Sequence, residues 1–259
     1  MSTINIRTID VVQYIKPLRE GGSLPAIVEG SDDFHYVMKF RGAGQGKKAL
    51  IAEVIGGEMA RALGLHVPEL VFLNLAEGFH RLEGDEEIQD LLKFSVGLNL
   101  GLHYLQGSIT FDPLVSEADA HSASLVILLD SIITNIDRTA KNTNLLNWNR
   151  ELWLIDHGAS LYFHHNWSTW ESHLGRSFPL IKQHVLLDKA TDLEEASDKI
   201  QSIISEDKLK EIIDIIPADF LTEEGDELTP EEKKGAYFKI IWSRIQRIDE
   251  LVKEIKDVQ

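Results

Sequence analysis

Apolar and polar positions alternate differently in three parts of the chain. In the first third, short apolar runs are separated by glycine-rich turns. Residues 26–29 and 36–40 flank Gly30-Ser31-Asp32-Asp33, a pattern that predicts a β-hairpin. Gly21-Gly22-Ser23 stands before the first of these strands, and Gly42-Ala43-Gly44-Gln45-Gly46 follows the second. Ile51, Ile55, Met59 and Ala62 then recur at helical spacing and predict a helix over 47–63. Gly64 suits its left-handed C-terminal cap, and Pro68 prevents continuation. Residues 69–75 predict another strand. The order strand, strand, helix, strand fits a small antiparallel sheet with one packed helix.

The middle reads differently. Residues 86–94 predict a helix, and 97–107 are punctuated by glycines, as a connection between two lobes would be. Ser116 is the expected N-cap of the next helix, with Asp119 three residues on. That helix carries Leu125, Leu128, Leu129, Ile132 and Ile133 on one face and ends in Asn135-Ile136-Asp137. Two short strands follow, 144–148 and 152–155, joined by Asn149-Arg150-Glu151. The last third predicts helices over 193–204, 207–216 and 230–258, with Ile240, Ile241, Ile245, Ile248 and Val252 in phase. No repeat, low-complexity linker or sharp domain boundary interrupts the chain.

Composition narrows this picture. With 259 residues, 43% of them hydrophobic, the chain can bury a sizeable core. It has no cysteine, which excludes disulfides and thiolate metal sites and fits a reducing, cytoplasmic setting. No apolar run reaches the roughly 20 residues of a membrane span, and the N-terminus lacks a signal-peptide pattern. Asp and Glu total 42 against 26 Lys and Arg, a net charge of −16. Such a field repels phosphate backbones, so direct nucleic-acid binding is not expected. The acidic excess after Asp188 reads as solvated helical surface.

The candidate chemistry lies in Asn135-Ile136-Asp137-Arg138-Thr139-Ala140-Lys141-Asn142 and in Trp153-Leu154-Ile155-Asp156-His157-Gly158. Phosphoryl transfer needs a carboxylate near the attacking hydroxyl, oxygen ligands for a metal, and a cation on the phosphates. Mg2+ takes one or two carboxylates and keeps several waters. Asp137, Asn142 and Asp156 together offer a base and two metal ligands. Asp and Asn also favour turns, so the spacing alone is a weak signal. Its place at the ends of very apolar elements strengthens it. His157, His164 and His165 lack partners at metal-site spacing, and packing is their ordinary role. Trp148, Trp153, Trp167 and Trp170 read as packing aromatics. Residues 42–46, Gly44 among them, could cradle phosphate at a helix start or form a plain turn, and Lys47 and Lys48 add charge there.

These segments resemble the HipA-like kinases, most closely the short free-standing members. The resemblance covers roughly residues 15–165 and includes Val37-Met38-Lys39-Phe40-Arg41-Gly42-Ala43-Gly44-Gln45-Gly46, Glu58-Met59-Ala60-Arg61-Ala62-Leu63-Gly64-Leu65 and Gly97-Leu98-Asn99-Leu100-Gly101. It implies an α+β, bilobal protein-kinase-like fold over 1–259, with a small antiparallel-sheet N-lobe (about 1–100) and a mainly helical C-lobe (about 101–259). It implies a kinase using ATP and Mg2+ on a Ser/Thr hydroxyl of an unidentified protein substrate. Asp137 would be the catalytic-loop base, Asn142 and Asp156 the metal ligands, and Lys39 the cation on the phosphates. Gly21, Gly22 and Ser23 would form a phosphate-facing turn, with Ser23 a candidate for autophosphorylation. The Asp-Arg-x-x-x-Asn spacing also resembles phosphatidylinositol kinases. Thr139 and His157 depart from the His and Phe common at these positions in related kinases.

Lys39 calls for an acidic partner on the helix. Glu53 matches a glutamate of the wider HipA group. By helical phase Glu58 falls among Ile51, Ile55 and Ala62 and is the favoured partner, with Glu53 the other candidate, whose ordinary alternative is a surface charge. The family's association with toxin–antitoxin systems implies an antitoxin or operon-encoded partner. The alternatives are a kinase of a small molecule or lipid head group, AMP transfer, or a nucleotide-binding interaction module.

Overall fold

Five strands close into a small barrel in the order β1-β2-β3-β5-β4: β1 (Thr8–Pro17), β2 (Ala26–Gly30), β3 (His35–Lys39), β4 (Leu70–Leu75) and β5 (Gly97–His103). The structure is a computed structural model and describes residues 4–18 and 24–259. The chain divides into two compact units, Met1–Ile51 with Pro68–Gln106, and Ala52–Val67 with Gly107–Gln259. Gly21, Gly22 and Ser23 lie outside the described residues.

In the first unit the barrel differs from the expected antiparallel sheet. β1 pairs parallel to β4, matching Thr8 with Phe72 and Asp10 with Asn74, and this pairing closes the ring. Closure removes the exposed edges that an open sheet leaves unpaired. β1 is hidden in the sequence because its period breaks. Only Ile9 and Val11 are buried, and the register slips between Val11 and Gln13 and again between Tyr14 and Lys16. β5 lies where the glycines suggested an inter-lobe connection. Gly101 belongs in that strand because a side chain would not fit: a Cβ there would stand 2.6 Å from Leu73 Cδ1. The barrel core gathers Ile9, Val28, Tyr36, Met38, Val71 and Leu73, and Ile88 and Leu92 of helix α2 (Glu86–Phe94) join it.

Helix α1 (Gly46–Ala62) runs from the first unit into the second. Every residue over 50–60 is buried, so the helix has no solvent face in that stretch.

The second unit is built around helix α3 (Ala120–Ile133), in which every residue over 123–133 is buried. A helix this apolar all round belongs in a core. Its N-cap is Asp119, whose carboxylate accepts the Ser122 N–H at 2.8 Å. Ser116, the expected cap, instead accepts from the Asp112 N–H at 3.1 Å and from Asn147 at 2.9 Å. Strands β6 (Ile109–Thr110), β7 (Leu145–Trp148) and β8 (Glu151–Leu154) form an antiparallel sheet. Asn149 and Arg150 turn between β7 and β8 with φ of 50° and 68°, the positive values that a two-residue hairpin turn requires.

Residues 162–189 form a run of short 3-10 turns, followed by helices α4 (Leu193–Ile203), α5 (Glu206–Asp214), α6 (Pro230–Gln246) and α7 (Ile248–Lys256). The expected single helix over 230–258 breaks at Arg247, and both halves pack on α3. All four of these helices carry acidic residues in the first turn, where the helix dipole favours negative charge. Part of the acidic excess is therefore stabilising. Among the described residues, no helix is long and apolar enough to cross a membrane.

Candidate active site

Asp137 and Asn142 sit in the loop that follows α3. Thr134 ends the helix in a left-handed conformation, φ 54°. The Asn135 N–H returns to Asp130 O at 2.9 Å, and Asn135 Oδ1 accepts the Asp137 N–H at 3.1 Å. The Asp137 carboxylate then receives two amides through Oδ2, from Asn142 Nδ2 at 2.7 Å and from Asn144 Nδ2 at 3.3 Å. The loop closes on itself through Thr139 N–H to Asn142 O at 2.9 Å. The proposed base and the proposed metal ligand are therefore brought together directly. With Nδ2 engaged, Asn142 Oδ1 is the atom of that side chain able to ligate a cation.

Asp156 follows β8 and has φ 58°, a left-handed conformation uncommon for a residue with a side chain. Such strain costs about 1–3 kcal/mol and clusters where function demands a particular side-chain direction. The Ile155 N–H donates to Asn144 O at 3.1 Å and ties this turn to the Asp137 loop. Asn142 and Asp156 present oxygen donors only, a set that suits a hard divalent cation sharing phosphate oxygens and water.

Behind the turn lies Glu53, one of the two acidic candidates on the helix. Glu53 is 1% exposed, and its Oε1 accepts the Gly158 N–H at 2.8 Å. Its Oε2 lies 3.7 Å from His157 Nδ1. Helical phase could not separate the two acids, because α1 is buried on every side over 50–60. Glu58 takes Arg61 as partner at 3.2 Å, and Arg61 also reaches Val67 O at 3.3 Å. His157 is packed rather than ligating: at Gly56, a Cβ would approach its Cβ to 2.7 Å. A residue larger than glycine at position 56 would therefore push on the Asp156 turn.

In the first unit, Lys39 ends β3 opposite Leu100 of β5. The loop after it is held by the Arg41 N–H to Asn99 Oδ1 at 2.9 Å and the Gly42 N–H to Ser95 Oγ at 3.2 Å. Gly44 is exposed, with nothing near its Cβ position, and Gly46 opens α1 with φ 59°.

Sequence reasoning missed the support beneath the loop. Arg138 and Asp130 are fully buried and paired at 2.5 Å. Arg138 also donates to the carbonyl oxygens of Asn144 and, at 3.2 Å, of Ile155. Burial opposes ionisation of Asp130, yet the Arg138 charge and the His184 hydrogen bond hold its carboxyl well below the usual carboxylate range. An acid in a largely apolar helix was the available signal, since such a group is rarely left unpaired.

The remaining candidates have ordinary roles. His164 Nδ1 lies 3.0 Å from the Tyr237 hydroxyl in the core. Trp153 stacks on His66, and Trp167 meets Tyr237 edge-on. Among the described residues, the histidine with clustered carboxylates is His121, beside Asp192 and Glu195. Lys199 Nζ stands 3.4 Å from its Nε2 and places a cation there already.

The sequence profile described as HipA-like kinase matches residues 11–249, well beyond the segment whose motifs are legible by eye. No curated protein matches the sequence. Among solved structures, the Helicobacter pylori proinflammatory kinase CtkA is similar at a TM-score of 0.55 and 15% identity, over 94% of this chain and 98% of that one. The Golgi casein kinase with Mn/ADP bound is similar at 0.51 and 11%, over 99% of this chain and 74% of that one. At these identities the likeness concerns the fold, a mixed α/β architecture shared with kinases. Through the profile match over most of its length, the chain belongs to the HipA-like kinase family.

Proposed function

We propose that this chain transfers the γ-phosphoryl group of ATP to a Ser or Thr hydroxyl of a protein, with Mg2+. The observation that carries the reading is the Asp137 carboxylate, held by Asn142 and Asn144 and tied through Asn144 to the strained Asp156 turn. The Golgi casein kinase neighbour, solved with Mn/ADP, supports a nucleotide and a divalent cation. The chain is read as one kinase domain spanning 1–259, with an N-lobe of about 1–100 and a C-lobe of about 101–259; the compact units differ in placing 52–67 with the second.

In this reading Asn142 and Asp156 would hold the metal, and a bound divalent cation would supply positive charge to the phosphates. The family resemblance gives Lys39 the role of cation on the phosphates, with Gly44 in the glycine-rich turn after β3. Asp137 orients the acceptor hydroxyl and takes its proton as oxygen attacks the γ-phosphorus and the bond to the ADP oxygen breaks. Its fixed Oδ2 leaves Oδ1 for that hydrogen bond. Glu53 acts from behind by fixing the Gly158 N–H, and so the backbone after Asp156. Glu58 takes Arg61 as its ion-pair partner within the helix.

The test is label transfer from γ-labelled ATP into dephosphorylated cell extract. Labelled phosphoserine or phosphothreonine should appear with Mg2+ and disappear with a chelator. Label found only in lipid or in a small molecule would overturn the protein-kinase part of the reading.

A further inference from the structure

His184 lies far from the loop in sequence, yet the fold attaches it there at several points. Thr139 and His184 form an isolated antiparallel bridge, and the Val185 N–H donates to Arg138 O at 3.1 Å. The ring is almost fully buried. The Leu186 N–H reaches its Nδ1 at 3.1 Å, so Nδ1 is the acceptor. Nε2 then carries the proton and donates it to Asp130 Oδ2 at 3.0 Å. Burial pushes the imidazole's proton affinity down, in keeping with a neutral ring that donates and accepts once each.

Asp130 passes this contact on. Its Oδ1 accepts from Asn135 Nδ2 at 3.1 Å, and Asn135 Oδ1 in turn accepts the Asp137 N–H at 3.1 Å. Its Oδ2 accepts from Arg138 Nε at 2.5 Å, and Arg138 holds the carbonyls of Asn144, two residues after Asn142, and Ile155, the residue before Asp156. One imidazole therefore joins the turns over 179–189 to the backbone beneath Asp137, Asn142 and Asp156.

We infer that His184 is a positioning residue: it clamps the 179–189 segment to the Asp130–Arg138 pair and so holds Asp137 in register for transfer. This rests on the kinase reading above. Three features make a mere packing role an insufficient account. Both ring nitrogens are used, the bridge at Thr139 falls inside the loop, and the network ends on the Asp137 N–H. Because the branch through Asn135 ends on the N–H of Asp137, which orients the acceptor and does not hold the metal, the clamp acts more on kcat than on KM for MgATP.

The experiment compares wild type, His184→Ala and His184→Gln by steady-state MgATP-dependent transfer, thermal melting, and hydrogen exchange at the Asp137 and Thr139 amides. Glutamine can restore the donor to Asp130. The Ala variant should lose about 10–100-fold in kcat, the scale of removing a supporting hydrogen-bond partner, with KM within about twofold. Exchange at the two amides should accelerate in Ala and return toward wild type in Gln. An Ala variant with wild-type kcat and exchange would overturn the inference. So would a Gln variant no better than Ala, or a loss accounted for by the unfolded fraction. If the wild type shows no MgATP turnover, the kinase reading fails on its own. The exchange data still decide the clamp: protection lost in Ala and kept in Gln supports it, and unchanged protection in Ala refutes it.

Discussion

Asp156→Asn should reduce MgATP-dependent turnover by at least about 10³-fold, roughly 4 kcal/mol of transition-state stabilisation. The variant should melt close to wild type. On the proposed reading, removing the one carboxylate charge would leave Asn142 as a neutral ligand, too little to hold Mg2+ against water. The fold should tolerate the change for a backbone reason. Asp156 has φ 58°, and asparagine is among the few residues that adopt the left-handed region readily. Steady-state kinetics beside a melting curve check both halves. Turnover within about tenfold of wild type would remove Asp156 from the metal site.

The second large effect concerns stability. Asp130→Ala should cost about 3–5 kcal/mol, because it strands the buried Arg138 charge and removes the acceptor of Asn135 and His184. Against a total of about 5–15 kcal/mol for a domain, that is a large share. The melting temperature should fall by about 10 °C. The pH dependence has a definite sign. The Asp130 carboxyl is held below its ordinary range, so its stabilising contribution is complete above the unfolded carboxylate pKa of about 4 and is lost as acid protonates it in the fold. The variant should therefore lose less stability on acidification than wild type does. Calorimetric melting across pH checks both statements, and a drop of only about 1 °C would show that the pair is not a structural anchor.

The sequence made some of this visible and hid the rest for identifiable reasons. Local periodicity and turn chemistry were strong around Asp137 to Gly158. Polar residues there are wedged between apolar elements, and the hairpin, the helix before it and the turn after it were all legible. β5 was hidden because Gly101 serves close packing against Leu73 and reads locally as a linker residue. β1 was hidden by its register shifts, and barrel closure by a parallel pairing across 64 residues, Asp10 with Asn74. Asp119 displaced Ser116 as the cap because Ser116 was needed by the Asp112 turn and by Asn147.

The candidate site shows the same division. Residue types and spacing pointed to Asp137, Asn142 and Asp156 without any fold. Helical phase could not decide between Glu53 and Glu58, because it sorts charges only on a helix with a solvent side, and α1 lacks one over 50–60. The Asp130–His184 contact spans 54 residues and joins an apolar helix to an irregular segment, so no local pattern could announce it.

The central claim, phosphoryl transfer to protein hydroxyls through Asp137, is tested most directly by comparing the phosphoproteomes of cells expressing the wild type and Asp137→Ala at equal levels. The account predicts serine or threonine sites phosphorylated with the wild type and absent with the variant. Identical phosphorylation in the two, with both proteins folded, would contradict it.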